Sequence, residues 1–290
     1  NPNNRIQLDL SSVRNRAITD TFEPGSTVKP LTVAIALQSG KPADFIVDTH
    51  PGFMRVGNAV IRDPRNRGEL DLGGILAHSS QVGISRLALM VNEYDVWNLF
   101  QKLGFGEVTG IGFPGESSGF LPNRRRWKDV ERVTFAYGYG LTVTPLQLAQ
   151  AYQTIASGGV KQSVGLIKDP VLKSERVMTE DIAVALQSML HRVVTEGTGK
   201  KAAIEAYEVA GKTGTARKLG ERGYDDQRHI AFFAGFAPLP SPQFVGVVVI
   251  NEPKTASVGG GSIAAPIFSR VMRSVLRLNS VLPTFVQEAV

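Results

Sequence analysis

Apolar residues follow two different periods along this chain, and the change of period divides it. Up to about residue 195 the dominant spacing is three to four residues. Leu31, Ala34, Ile35 and Gln38 fall at that spacing after Glu23-Pro24-Gly25, in an apolar run that stops at Gly40. Pro30 sits in the first turn, where its missing N–H costs little, so the pattern predicts a helix over 26–37 with Ser26 at its N-terminus. Further helices are expected over 71–91, interrupted at His78-Ser79-Ser80-Gln81, and over 93–103 before Gly104. Two more are expected over 144–157, with Thr144 as N-cap and Pro145 at the first position, and over 179–195 with Glu180 and Asp181 in the first turn. Residues 41–70 are polar and punctuated by Pro and Gly, which reads as an irregular flap with a short strand pair at 54–61.

Beyond 207 the period shortens. Segments 207–216, 230–237 and 244–251 are short apolar or alternating runs between turn-rich stretches, and helical spacing returns over 264–278. Three strands followed by a packing helix predict an antiparallel sheet against a helical layer. No repeat or linker-like shift of composition is visible, so one α+β domain over 1–290 is expected: a helical subregion at about 27–200, strands at about 207–251 and the C-terminal helix at 264–278.

Composition removes several function classes. No window approaches the 18 uncharged apolar residues of a bilayer span, and the absence of Cys excludes disulfides, thiolate nucleophiles and thiolate metal sites. The four His residues (His50, His78, His191, His229) lie far apart without ligand spacing, so neither metal nor cofactor is expected. Gly110-Ile111-Gly112-Phe113-Pro114-Gly115 fits a dinucleotide fingerprint, but Pro114 and the lack of a following helix deny it the required setting. Gly211-Lys212-Thr213 cannot close a phosphate-binding loop, because Ala206 stands where the opening Gly belongs. A formal net charge of +6 favours polyanionic surroundings. The densest basic run, Arg124-Arg125-Arg126-Trp127-Lys128, reads as a solvated loop and not as a nucleic-acid surface, since no recognition helix or aromatic series accompanies it.

What remains is a Ser/Lys system. Ser26 and Lys29 are at i and i+3, on one helical face, near enough for an amine to take a hydroxyl proton. The positive helix N-terminus disfavours a protonated Lys29 and favours an oxyanion beside it. Ser79-Ser80-Gln81 lies at a helix break, and Lys212-Thr213-Gly214-Thr215 ends an apolar strand. Each has an ordinary reading, as an N-cap or a turn approach, but their order matches the S-x-x-K, S-D-N and K-T-G signature of penicillin-binding proteins and serine β-lactamases.

With Arg14-Asn15-Arg16-Ala17-Ile18-Thr19-Asp20, Phe22-Glu23-Pro24-Gly25-Ser26-Thr27-Val28-Lys29-Pro30, Tyr137-Gly138-Tyr139-Gly140 and Gly211-Lys212-Thr213-Gly214-Thr215-Ala216-Arg217-Lys218, the chain resembles the transpeptidase domain of class B penicillin-binding proteins. It looks closest to the division-specific D,D-transpeptidases of Gram-negative bacteria. The resemblance implies the penicillin-binding, serine β-lactamase-like fold: an antiparallel sheet flanked by helices. It also implies that Ser26 attacks the D-Ala-D-Ala carbonyl of a peptidoglycan stem peptide, Lys29 acts as base and Ser79 relays the proton. Lys212, Thr213, Gly214 and Thr215 would hold the donor carboxylate, Tyr137 and Tyr139 would assist substrate binding, and β-lactams would acylate Ser26. Further implied are a periplasmic location on an inner-membrane anchor and pedestal outside this sequence, and division-complex membrane partners including a glycosyltransferase.

Two positions depart from the family pattern. Gln81 stands where Asn is usual, moving the amide by roughly an ångström, a displacement that can cost about 10²-fold in rate. Val258-Gly259 stand where division enzymes carry two aromatics, which implies a thinner apolar wall beside the donor. Two rival readings follow: a serine β-lactamase, which needs a base poised on water, and a detuned paralogue that binds wall fragments as a sensor or scaffold.

Overall fold

The computed structural model describes residues 14–167, 173–220, 223–255 and 257–284. In chain order these form α1 (Arg16–Thr19), a 3-10 turn (Gly25–Val28), α2 (Lys29–Gln38), β1 (Val47–Asp48), β2 (Phe53–Val56), β3 (Ala59–Arg62), β4 (Glu69–Leu70), α3 (Leu72–Ala77), α4 (Gln81–Met90) and α5 (Glu93–Lys102). There follow α6 (Asp129–Ala136), α7 (Pro145–Ala156), β5 (Val160–Gln162), β6 (Ser174–Arg176), α8 (Glu180–Thr195), β7 (Ala210–Gly220), β8 (Gly223–Ala237), β9 (Phe244–Asn251) and α9 (Gly260–Leu278).

The helix boundaries fall where caps are available. Thr144 and Gln147 exchange hydrogen bonds at the start of α7, the Thr144 hydroxyl accepting from the Gln147 N–H at 3.2 Å and the Gln147 side-chain Oε1 from the Thr144 N–H at 2.8 Å. The break between α3 and α4 is as expected, with Ser80 capping α4 by accepting from the Gly83 N–H at 2.8 Å. Helix α6 was not expected: its acidic first turn, Asp129 and Glu131, adjoins the basic run. Arg124 pairs with Glu131 at 3.0 Å and Trp127 packs on Phe135 with ring centroids 5.0 Å apart, so this run is partly folded onto α6.

The sheet is antiparallel, in the order β7-β8-β9, and makes the fold α+β. Alternation along β8 gives it two different faces. Phe232, Ala234 and Phe236 join the core built from α2 to α8, while Phe233 and Ala237 pack with Ala264, Ala265, Phe268 and Met272 of α9. Truncating a fully buried Phe such as Phe232 to Ala removes about 3–5 kcal/mol. Three sequence expectations need correction here. Strand β7 begins at Ala210, with Tyr207 instead in an isolated bridge to Ile204. Strand β8 begins at Gly223, because the hairpin arm continues beyond the apolar alternation on polar pairs such as Arg217 to Asp226 at 2.6 Å. Helix α9 begins at Gly260 and not 264, in a glycine-rich stretch whose low helix propensity concealed it.

The turn carrying Ser26 is clamped between this sheet and the helices. Gly25 donates its N–H to the Gly138 carbonyl at 3.0 Å, Tyr152 donates its hydroxyl to the Thr27 carbonyl at 2.8 Å, and Thr27 donates its own to the Pro24 carbonyl at 2.6 Å. Gly138 has φ +89°, and a Cβ there would run into the Gly25 backbone. Gly138→Ala is therefore expected to cost about 3 kcal/mol or more. Gly57→Ala, at φ +56° on an open hairpin tip, should cost only about 1–2 kcal/mol. Urea midpoints at constant slope measure both, and equal losses would show that the close approach to Gly25 carries no weight.

Candidate active site

Lys29 is the first residue of α2 and fully buried, at 0% exposure. Its Nζ donates to the Ser79 carbonyl at 2.6 Å and lies 3.3 Å from both the Ser80 carbonyl and Ser79 Oγ. Burial lowers its pKa to about 7, against a smaller upward pull from the Asp63 charge. At neutral pH a large share of this amine is uncharged. Its two N–H groups then serve the two carbonyls and its lone pair is left to accept a proton. Ser26 lies three residues earlier, in the 3-10 turn that leads into α2, and lines the same cavity as Ser79.

Lys212, on β7, is also at 0% exposure, and its Nζ donates to Ser79 Oγ at 3.0 Å and to the Thr213 carbonyl at 3.2 Å. Burial, with the neighbouring Lys29 adding to it, pulls its pKa well below the ordinary lysine value. Ser79 thus stands between two amines. It adopts φ +56°, a left-handed conformation that costs a non-glycine residue about 1–3 kcal/mol and turns both its carbonyl and its hydroxyl toward Lys29.

The break is held by a residue that the sequence pattern did not single out. Asp63, just after β3, accepts from Ser80 Oγ at 2.5 Å, from the Gln81 N–H at 2.5 Å and from the Val82 N–H at 3.2 Å. Its carboxylate occupies the positive N-terminus of α4 and fixes the flap to the helix break. In the sequence, Asp63-Pro64 reads only as a turn.

Thr213, Gly214 and Thr215 follow on β7. Alternation puts both hydroxyls on one face, where Thr213 Oγ1 is 2.8 Å from Thr198 Oγ1 and Thr215 Oγ1 accepts from the Gly260 N–H at 3.0 Å. Gly214 pairs with Phe232, and a Cβ on it would penetrate the Phe232 ring. A cavity of about 750 Å³ joins Ser26, Ser79, Gln81, Thr213, Gly214 and Thr215, with Gly259 to Ser262 on its far wall. Lys29 and Lys212 lie beneath that lining, in contact with it through Ser79. Gln81 opens α4, and its side-chain amide has no hydrogen-bond partner among the described residues. No Phe, Tyr or Trp side chain lines the cavity among the described residues.

Tyr137 and Tyr139 are not brought into this lining. They meet edge to face with centroids 5.7 Å apart, and Tyr139 meets Tyr224 of the hairpin arm in the same way at 5.4 Å. Burial raises the Tyr137 phenol to about 12. Glu23 joins the same cluster, Oε1 accepting from the Gly140 N–H at 2.9 Å and the Tyr224 hydroxyl at 3.0 Å. These rings therefore brace the turn before Ser26, and their expected contact with substrate has no support from their position. Among the described residues no group of three or more His, Asp or Glu is placed to hold a metal.

Residues 1–273 match the family model for the penicillin-binding protein transpeptidase domain. The chain is 43% identical over 286 residues to the peptidoglycan D,D-transpeptidase FtsI of Escherichia coli K12, covering 98% of this chain and 48% of that protein. It is 39% identical over 287 residues to a probable peptidoglycan D,D-transpeptidase, PenA, of Neisseria flavescens, covering 98% of this chain and 71% of that one. The chain thus spans about half the length of the first of these relatives. Among solved structures, the transpeptidase domain of Burkholderia pseudomallei penicillin-binding protein 3 superposes with a TM-score of 0.90 at 37% identity, over 94% of this chain and 84% of that one.

Asp63→Asn tests the anchor of the helix break. The variant keeps the shape but loses the charge and one acceptor oxygen, so stability should fall by about 1–3 kcal/mol in denaturant unfolding. Loss of the charge should also lower the Lys29 pKa further below about 7, followed by an NMR titration of its side chain. An unmoved titration would show that Asp63 acts only as a cap.

Proposed function

The chain belongs to the penicillin-binding protein transpeptidase domain family, and from that premise we propose that it is a serine D,D-transpeptidase that cross-links peptidoglycan stem peptides during septal wall synthesis. The observation that carries this reading is the fully buried Lys29 amine, lowered to about 7 and 3.3 Å from Ser79 Oγ, one helical step from Ser26. Neutral Lys29 takes the proton of Ser26 as its Oγ bonds to the penultimate D-Ala carbonyl carbon. The N–H groups of Ser26 and Thr215 receive the oxyanion, and Thr213 and Thr215, with Lys212 beneath, hold the terminal carboxylate. The proton passes through Ser79 Oγ to the leaving D-Ala nitrogen as the peptide C–N bond breaks. An acceptor amine then attacks the acyl carbon, the bond to Ser26 Oγ breaks, and the proton returns by the same groups.

The same nucleophile would be acylated by β-lactams. The relatives' names favour a wall-synthesis setting at division, and with it an anchored protein whose domain faces the periplasm beside a partner glycosyltransferase and other division proteins. Among the described residues no helix is long and apolar enough to cross a membrane.

Intact mass after incubation with benzylpenicillin tests the reading. A persistent adduct is expected that Ser26→Ala abolishes; rapid turnover would favour a β-lactamase, and no adduct would remove the catalytic reading. The acylation rate should rise about tenfold per pH unit below 7 and level off above it, because the deprotonated amine is the reactive form. A flat profile over pH 5–9 would exclude Lys29 as the base.

Gln81 favours a second reading, a detuned penicillin-binding paralogue acting as sensor or scaffold, because its unpartnered amide stands in the cleft where the family usually has Asn. On the transpeptidase reading Gln81→Asn should change acylation less than about threefold. A gain approaching about 10²-fold would support the detuned one.

A further inference from the structure

The cleft wall carries charge that the acylation chemistry does not use. Arg62, Lys200 and Lys201 line the same cavity as Ser26, and among the described residues none of the three forms an ion pair. Asp63 is the one carboxylate in that lining among the described residues, and both its oxygens are already engaged by Ser80, Gln81 and Val82. The imbalance is therefore three free cations against an acid that is already hydrogen-bonded. His78 lines the same space, and its pKa is lowered by burial and then by the positive charges of Arg67 and Arg192, against the pull of Glu196 and Asp71.

These cations stand on fixed backbone. Lys200 and Lys201 sit in a 3-10 turn (Lys200–Ala202) held by the Thr198 N–H to the Ala77 carbonyl at 3.0 Å, the Gly199 N–H to the Val193 carbonyl at 2.9 Å, and buried Ala202. Arg62 ends β3, next to the Asp63 anchor, with its guanidinium over the Phe53 ring at 5.1 Å from the centroid. That contact orients the cation without neutralising it. The Thr198 to Thr213 hydroxyl contact at 2.8 Å places the lysine turn beside the Thr213 part of β7, where the departing D-Ala carboxylate lies in the mechanism above.

The space vacated by that D-Ala is where an acceptor must enter. We propose that Arg62, Lys200 and Lys201 form an anion subsite for the acceptor, selecting an amine that carries a carboxylate on its own carbon, as an amino-acid acceptor does. The proposal rests on the transpeptidase reading. Of the buried amines, Lys29 must be neutral to act as base, and Lys212, donating to Ser79 Oγ and the Thr213 carbonyl, backs a carboxylate only from beneath Thr213 and Thr215. Exposed cations at the mouth can meet a carboxylate, align its amine with the acyl carbon, and release the product readily.

The experiment separates acylation from transfer. Wild type, Lys200→Ala/Lys201→Ala, Lys200→Glu/Lys201→Glu and Arg62→Gln are acylated with benzylpenicillin and with a D-alanyl thioester donor. Transfer of the donor acyl group is then followed to D-alanine and to D-alaninamide, which lacks the anionic charge. The double Ala variant should lose about tenfold in transfer to D-alanine, with little change toward the amide, and the Glu variant should lose more. Added salt should lower the wild-type preference for D-alanine. Equal loss with both amines, no loss with either, or a loss confined to acylation would overturn the acceptor subsite while leaving the transpeptidase reading intact. A wild-type protein that forms no acyl-enzyme at all would instead remove that reading, and the subsite with it.

Discussion

Two lysine amines share one serine hydroxyl beneath the cleft, and neither reaches water. Two cations cannot be kept there: burial disfavours each charge, and the short separation implied by a common partner adds repulsion. The surrounding structure is arranged around that constraint. Main-chain carbonyls of Ser79, Ser80 and Thr213 take the amine protons, and the Ser79 carbonyl reaches Lys29 only because the chain turns left-handed at that residue. The left-handed turn requires a break between α3 and α4, and the break is held from outside by Asp63. Stability is sacrificed in the process. Between pH 7 and the ordinary lysine value the unfolded chain binds more protons than the folded one, so stability falls as pH drops through that window, by up to about 1.4 kcal/mol per unit.

Local order in the sequence is what made much of this legible. The Ser26 and Lys29 pair lies within one helical turn, Pro30 and Thr144 mark helix starts, and the polar interruption at Ser79 is visible because it breaks an apolar period. Contacts that close over long separations left no such trace. Asp63 is a single acid in a polar flap, and its task becomes apparent only when β3 folds back onto α4. The braced cluster is similar: Glu23 and Tyr224 are 201 residues apart, and nothing in either neighbourhood announces the other. Tyr137 and Tyr139 were read by resemblance as substrate contacts, whereas their rings meet each other outside the cavity lining and the intervening Gly138 makes the close contact with Gly25. Polar strands were missed for a related reason, since the outer hairpin arm pairs its backbone without apolar alternation and crosses its strands with a polar pair, Arg217 to Asp226.

The same arrangement bears on whether an acyl-enzyme in this cleft is passed to an amine or to water. Hydrolysis needs a carboxylate or comparable base aimed at a water beside the ester. Asp63 is the one carboxylate lining the cavity among the described residues, and it accepts hydrogen bonds from Ser80, Gln81 and Val82. Both of its oxygens are thereby directed at protein donors and not at a water in the cleft. Releasing it would cost α4 its N-terminal anchor. Glu23, three residues before Ser26, is turned toward Gly140 and Tyr224 and lies out of the lining. With both acids committed to structure, the lining still offers the His78 imidazole, and the base in the mechanism proposed above is Lys29 beneath it. It serves an incoming amine and a water alike, and discrimination then rests on binding: an acceptor that the cleft holds and aligns reacts ahead of a water that it does not.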